Sequence, residues 1–393
     1  MSDLEYSISD VYGFLDFSSD RKMSEFMPDA VNRIEESIKQ NNPLKNKFYK
    51  HMKLKKLSEA TNTLSSPTAL SKDSLDSHSL EIEIEDGFIF DTRDHIYQHN
   101  IKMFDSSETK RLTKYQEYFN PTGRLSDLCF LCSSGPVGIK TLTGIKENLY
   151  LHYGFCKDKT RENFTDLSCN VVIVDIGKKS NIRISEEFVP NKGAKLYKIL
   201  YLIRENTNVT IERSIKEGVQ SIESKFIQFP GSSLSINSYN ALDGYDSYTQ
   251  EINEFEVWDD CYTQVNGKYL LEQDNVNNIT CKVHHKGPGS YSNVEVKSTL
   301  EDTSHLSFLG EIIVDKTAVD TDAQLTNKNL QLSESATVVT EPQLDINTKE
   351  ISCSHGCTVS NIDKDKLYAL ESRGIERSDA RRILKECFLD LII

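Results

Sequence analysis

Residues 353–357 read Cys-Ser-His-Gly-Cys. On an extended strand alternate side chains share a face, so Cys353, His355 and Cys357 are expected to point the same way. Thiolate sulfur and imidazole nitrogen are soft or borderline donors that suit iron in a cluster. Three donors on one strand, with a fourth from another chain, would make an open site from which a cluster can be passed on. A permanent store would need four ligands of its own. The alternative for Cys353 and Cys357 is inward packing as small hydrophobes, the ordinary state of a reduced cysteine.

Other pairs are less specific. Cys129-Phe130-Leu131-Cys132 has the C-x-x-C spacing of redox and metal sites, but no second pair follows and the apolar centre suits a buried strand. His95 and His99 could stand one helical turn apart, yet their flanks are irregular and no third ligand is evident. His284-His285 precedes Gly287-Pro288-Gly289, which is turn chemistry and makes His285 a structural position. Neither a G-x-x-x-x-G-K-[ST] loop nor a G-x-G-x-x-G after a strand occurs. This chain is therefore not expected to hydrolyse ATP.

The elements that would position these residues are mostly strands. From Leu80 the apolar period changes to two, as in Leu80-Glu81-Ile82-Glu83-Ile84. Alternating stretches recur at 171–176, 181–184, 208–211, 232–237, 279–283, 293–296, 306–314, 325–332 and 338–346. Ile182, Val209 and Leu234 are 27 and 25 residues apart. Short strands at a steady interval, with few hairpin turns, favour a β-solenoid over a sandwich or barrel. Asn266-Gly267 is the lone hairpin-like dipeptide. Residues 1–79 divide into a helical segment and a serine-rich linker, and 80–358 form the solenoid. The segment 359–393 is helical, with helices over 362–375 and 378–393. Gly374 closes the first of these and Ser378 caps the second. Ala380, Ile383, Leu384, Cys387, Phe388 and Leu391 form the apolar face of the second.

Composition narrows the function classes. The 393 residues carry a net charge of −14, which repels phosphate backbones and argues against a nucleic-acid partner. Mean hydropathy is −0.48 and no apolar run approaches the roughly 20 residues of a membrane span. The start, Met1-Ser2-Asp3-Leu4-Glu5, lacks the basic and apolar regions of an export signal, so a cytoplasmic location is expected. Nine cysteines without such a signal are read as reduced.

An ordered series of motifs then marks a family. It runs from His285-Lys-Gly-Pro-Gly-Ser-Tyr-Ser-Asn-Val-Glu-Val-Lys297 through Phe308-Leu-Gly-Glu-Ile-Ile-Val314 and Thr321-Asp-Ala-Gln324. It continues with Asn329-Leu-Gln-Leu-Ser333, Pro342-Gln-Leu-Asp-Ile346, Cys353-Ser-His-Gly356 and Ser372-Arg-Gly-Ile375. This series resembles the SufB/SufD family of iron–sulfur cluster assembly scaffolds, and Ser354 between Cys353 and His355 resembles its SufD branch. The resemblance implies a mainly β protein, a right-handed parallel β-helix with a helical C-terminal segment. It implies a heterodimer with a SufB-like subunit through the β-helix ends. A SufC-like ATPase would bind the helical tail, where Arg373, Gly374 and Phe388 are the partner-binding candidates. It also implies a transient iron–sulfur cluster at the shared interface, with His355 first and Cys353 second as this chain's metal ligands. Cys357 departs from the family, which has a small residue there, and enters as a ligand on strand geometry alone.

Two other classes compete. Solenoids also host carbohydrate-active enzymes, but a carboxylate- and aromatic-lined cleft is not evident and Trp258 is the single tryptophan. A self-pairing scaffold would take both SufB-like and SufD-like roles as a homodimer. The expected function is that of a non-catalytic scaffold.

Overall fold

The computed structural model of the chain describes residues 80–85, 88–91, 100–105, 108–119, 129, 133, 135–153, 166–189, 193–216, 218–242 and 247–391. The expected helical segment and linker over 1–79, and His95, His99, Cys132 and Cys156, lie outside them.

Strands alternate between two sheets, so each winding contributes one strand to either side. The first sheet holds β1 (Leu80–Glu85), β2 (Phe88–Asp91), β5 (Lys146–Tyr153), β7 (Asn181–Phe188), β9 (Asn208–Ile215), β11 (Ser233–Leu242), β13 (Tyr262–Leu271), β15 (Tyr291–Leu300), β17 (Thr321–Gln331) and β19 (Ile351–Asn361). The second holds β3 (Ile101–Phe104), β4 (Pro136–Thr141), β6 (Asp166–Ile176), β8 (Gly193–Ile203), β10 (Val219–Gln228), β12 (Tyr248–Val257), β14 (Val276–His285), β16 (His305–Val314) and β18 (Thr337–Ile346). Pairing along each stack is parallel, which makes the body a parallel β-helix. Among the described strands only β2 against β1 and β3 against β4 run antiparallel, at the end of each sheet nearest the N-terminus.

The core lies between the sheets, and its register follows the apolar spacing. Ile182 pairs with Val209 and Val209 with Leu234, as the intervals in the sequence require. The row continues through Thr263, Ser292 and Ala323 to Cys353. A second inward row stacks Tyr201, Phe226 and Phe255, with ring centroids 4.7 and 4.9 Å apart. Each aliphatic side chain buried this way contributes about 1.5–3 kcal/mol over exposure.

Strands β8 and β10 are buried on both faces, so their sequences show no alternation. Over β4 and β6 of the same sheet lies α1 (Thr109–Leu112) with a 3₁₀ turn over Thr113–Tyr118. Leu112 fits over Gly138, where a Cβ would come within 2.8 Å of its methyl. Tyr115 donates to Asp175 at 2.7 Å, as does Arg204, and Lys140 stands at 3.2 Å. Burial alone would raise the Asp175 pKa; Arg204, Tyr115 and Lys140 hold it below the ordinary value.

Two expectations need correction. Asn266-Gly267 is not a turn but the middle of β13. Glycine is required there because Tyr269 folds over it, 2.7 Å from where a Cβ would sit. Ser378 does not cap its helix. That helix, α3 (Arg377–Phe388), has its N-cap two residues earlier, at Glu376, with no side-chain cap bond. Gly374 does end the preceding α2 (Lys364–Glu371): it is left-handed at φ 84°. Its N–H bonds Glu371 O at 2.9 Å and the Ile375 N–H bonds Leu370 O at 3.3 Å, a Schellman closure. Among the described residues no helix is long and apolar enough to cross a membrane.

Candidate functional site

The last winding, β18 and β19, is built like the earlier ones, but no described residue covers it. Cys353, His355 and Cys357 stand in register with Ala323, Leu325 and Asn327, which are at most 1% exposed. In-register parallel partners face the same side, so the three donors lie on the inward row. The facing wall, Val338, Thr340, Pro342 and Leu344, continues the buried row Leu306, Phe308, Gly310 and Ile312. With no further winding on top, His355 and Cys357 are exposed and Cys353 is half-buried against the core. Val339, Ile346 and Val359 are exposed beside them, at 41%, 39% and 49%. The end is therefore an unsealed hydrophobic core carrying soft donors.

The two edge strands differ in their defences. Natural sheets blunt a free edge with charge or proline. β18 contains Glu341, Pro342 and Asp345. β19 runs for 11 residues without a charged side chain or a proline.

The shared face of Cys353, His355 and Cys357 agrees with the expectation, but the donors do not converge. Two residues of strand span about 6.8 Å, so the outer two lie about 13 Å apart. Among the described residues no group of three or more His, Cys, Asp and Glu side chains could hold a metal ion. Burial also raises the Cys353 thiol above its ordinary pKa. A group bound here would take only part of its ligands from this strand.

The described tail does not fold over this end. α3 runs back along the corners that follow β13, β15 and β17. Arg381 reaches Glu301 at 2.6 Å, and Lys385 reaches Glu301 at 2.9 Å and Glu272 at 2.7 Å. Asp390 then meets Lys297, and its carbonyl accepts from Lys268 at 2.8 Å. Arg373 is exposed and Phe388 half-buried. Ala380 is buried as expected, but Leu389 takes the buried place expected for Leu391, and Cys387 is exposed. The attachment thus combines these ion pairs with the buried Ala380 and Leu389. Glu301→Gln should speed amide exchange across 377–391 while the thermal midpoint stays nearly constant, because such half-exposed pairs contribute under about 1 kcal/mol each. Unchanged exchange in α3 would refute the ionic part of the attachment.

The remaining candidates are structural. The N–H of Ser133 closes a helical turn on the Cys129 carbonyl at 3.0 Å, so that position is not in a strand. The Cys129 thiol is buried against the carbonyls of Asn170 and Leu196. His285 is buried, with Nδ1 2.7 Å from Ser290 Oγ and Nε2 2.8 Å from Ser292 Oγ. His284 pairs with Asp315 at 2.9 Å on the surface.

The sequence reading missed a buried charge network between the sheets. Arg213 Nε donates to Glu186 at 2.8 Å, and its terminal nitrogens to Asn253 at 3.0 Å and Ser224 at 3.1 Å. Glu251 lies 3.7 Å away and accepts from Tyr269 at 2.8 Å. Tyr153 and Tyr201 donate to Glu186. Burial opposes the charge of Arg213, yet Glu186 and Glu251 hold its pKa above the ordinary value. The signal was present: Arg213 shares the parity of the inward residues Val209, Ile211 and Ile215.

Comparison with known proteins extends this picture. Residues 158–388, more than half of the chain, match the family model described as SUF system FeS cluster assembly, SufBD core domain. The chain is 40% identical to the iron–sulfur cluster assembly protein SufD of Escherichia coli over 92 residues, 23% of this chain and 22% of that protein. It is 35% identical to a SufBD family protein of Synechocystis over 106 residues, 27% of this chain and 23% of that one. A SufD of Plasmodium falciparum is 27% identical over 135 residues, 34% of this chain and 9% of that protein. The matched segment thus spans less than a quarter of the length of these relatives.

Proposed function

The chain belongs to the SufB/SufD family of SUF-system iron–sulfur cluster assembly proteins, as a SufD-like member, and from that premise we propose that it is a non-catalytic scaffold subunit that lends its bare terminal winding to a cluster-building interface. One observation carries the reading: the inward row of the core ends in half-buried Cys353 and exposed His355 and Cys357, at an edge without charge or proline. A second β-helix end added to β19 would seal the core and bring further donors to these three. Iron and sulfide are then cargo, held in part by His355 and Cys353 and in part by the partner, and released when the interface opens. Cys357 is the third ligand candidate of this chain.

The partner fits a SufB-like subunit better than a second copy. Pairing β19 with β19 of another copy places Cys353 opposite Cys357 when centred on His355, which favours self-pairing. The same two-fold axis, however, sets β18 antiparallel to β18, which brings the acidic pair Glu341 and Asp345 up against the same pair of the other copy. A different subunit avoids that repulsion. A SufC-like ATPase docking on Arg373, Gly374 and Phe388 would drive the opening, and the complex would work in the cytoplasm.

The test is co-expression with SufB-like and SufC-like subunits, anaerobic purification, and measurement of iron and visible absorption. The wild-type complex should carry iron–sulfur absorption. His355→Ala should form the same complex with iron lowered about ten-fold or more, since losing even an outer-sphere partner of a metal costs about 10–100-fold. A complex that loads equally without His355 would place the chemistry elsewhere. A stable homodimer that rejects the SufB-like subunit would favour self-pairing.

A further inference from the structure

The outward face of the first sheet carries a groove of about 760 Å³ that takes no part in the terminal winding. Its side chains come from strands in register, and one outward row runs Glu187, Ser214, Tyr239, Lys268 and Lys297. Charge is divided along it. Glu187 and Glu212 line the end over β7 and β9, with side chains 39% and 43% exposed and loose surface pairs, Lys216 at 3.7 Å from Glu187 and Arg183 at 3.9 Å from Glu212, for an incoming cation to displace. Lys268 and Lys297 line the end over β13 and β15, beside Glu295, whose carboxylate is taken by Lys328 at 2.9 Å. Tyr239, 41% exposed, stands between them.

The lysine end is already filled by this chain. The Asp390 carboxylate sits on Lys297 and its backbone carbonyl on Lys268. The seat therefore holds a peptide carboxylate and a peptide carbonyl together. A polyanion is a poor match for the whole groove, because its other end is acidic.

The geometry points to this groove as the seat of an extended peptide segment of a partner protein, with a basic side chain on Glu187 and Glu212 and an acidic one on Lys268 and Lys297, where Asp390 is the resident surrogate. The span from β7 to β13 is three strand spacings, about 14 Å. An extended chain covers about 3.3–3.6 Å per residue, so the two charges stand about four residues apart. The C-terminal end of α3 is then a competitor for the acidic position, and any partner that lifts α3 makes the groove available. The site is separate from the donors of β19 and does not rest on the assembly reading.

The probe is a fluorescein-labelled serine–valine peptide with one arginine and one aspartate four positions apart, followed by anisotropy with the full chain. Wild type should bind it weakly. Asp390→Ala should tighten binding about five-fold, the worth of one exposed ion pair. Adding Lys268→Ala and Lys297→Ala to that variant should abolish it. Equal affinity with and without Asp390, binding that survives loss of both lysines, or no binding by any variant overturns the proposal. Faster amide exchange in α3 of Asp390→Ala with no gain in peptide affinity would make Asp390 a tether only, and also overturns it.

Discussion

Arg213→Met is expected to destabilise the folded chain by about 3–5 kcal/mol, the usual cost of removing one member of a buried ion pair. Methionine fills much of the same space, so lost volume is not the cause. The cost arises because Glu186 and Glu251 keep their place between the sheets without a counter-charge. Three tyrosine hydroxyls donate to those carboxylates and none can neutralise them. Adding Glu186→Gln and Glu251→Gln to Arg213→Met should recover part of the loss. Urea unfolding of the single and triple variants makes the comparison. A midpoint for Arg213→Met equal to that of wild type would show that water or relaxation reaches the network.

Stability should also fall steeply on mild acidification, with His285 supplying on the order of 3 kcal/mol of the change. Burial, and then the neighbouring His284, lowers the His285 pKa from 6.5 to about 4. An unfolded chain takes up the proton below about pH 6.5, whereas the folded chain resists it until about pH 4. Between those values the unfolded state binds more protons, so stability rises with pH across the window and is lost as pH falls through it. His285→Gln keeps groups that can meet Ser290 and Ser292 but cannot be protonated. Its unfolding midpoint should depend less on pH between 6.5 and 4, by about one proton. A slope unchanged from wild type would assign the acid sensitivity to the carboxylates, such as Glu256, which Lys225 and Lys286 hold low against burial.

The amino-acid sequence shows one-sided strands well and two-sided ones poorly. Asn208–Ile215 and Ser233–Leu242 alternate because one face meets the core and the other meets solvent. Gly193–Ile203 reads Gly-Ala-Lys-Leu-Tyr-Lys-Ile-Leu-Tyr-Leu-Ile, and its period vanishes because neighbouring chain covers its outer face. The interval between Ile182, Val209 and Leu234 was legible because stacked windings repeat the same inward position. The donor row of Cys353, His355 and Cys357 was legible for the same reason, since facing is a local property of a strand. Their exposure was not, because it depends on where the stack stops. The Gly267 position was misread because a dipeptide carries no record of the tyrosine two residues on. The groove ending at Lys268 and Lys297 could not be read either, as strands far apart in sequence line it.

The uncharged edge of β19 bears on supply as well as on assembly. A free edge that neither repels nor blocks a neighbour accepts whichever strand arrives first. Chain made in excess of its partner would therefore be consumed by wrong pairings at a rate set by its own concentration. Under the pairing proposed above, matched synthesis of the two subunits follows from this edge, and the unpaired chain is the form a cell must keep scarce.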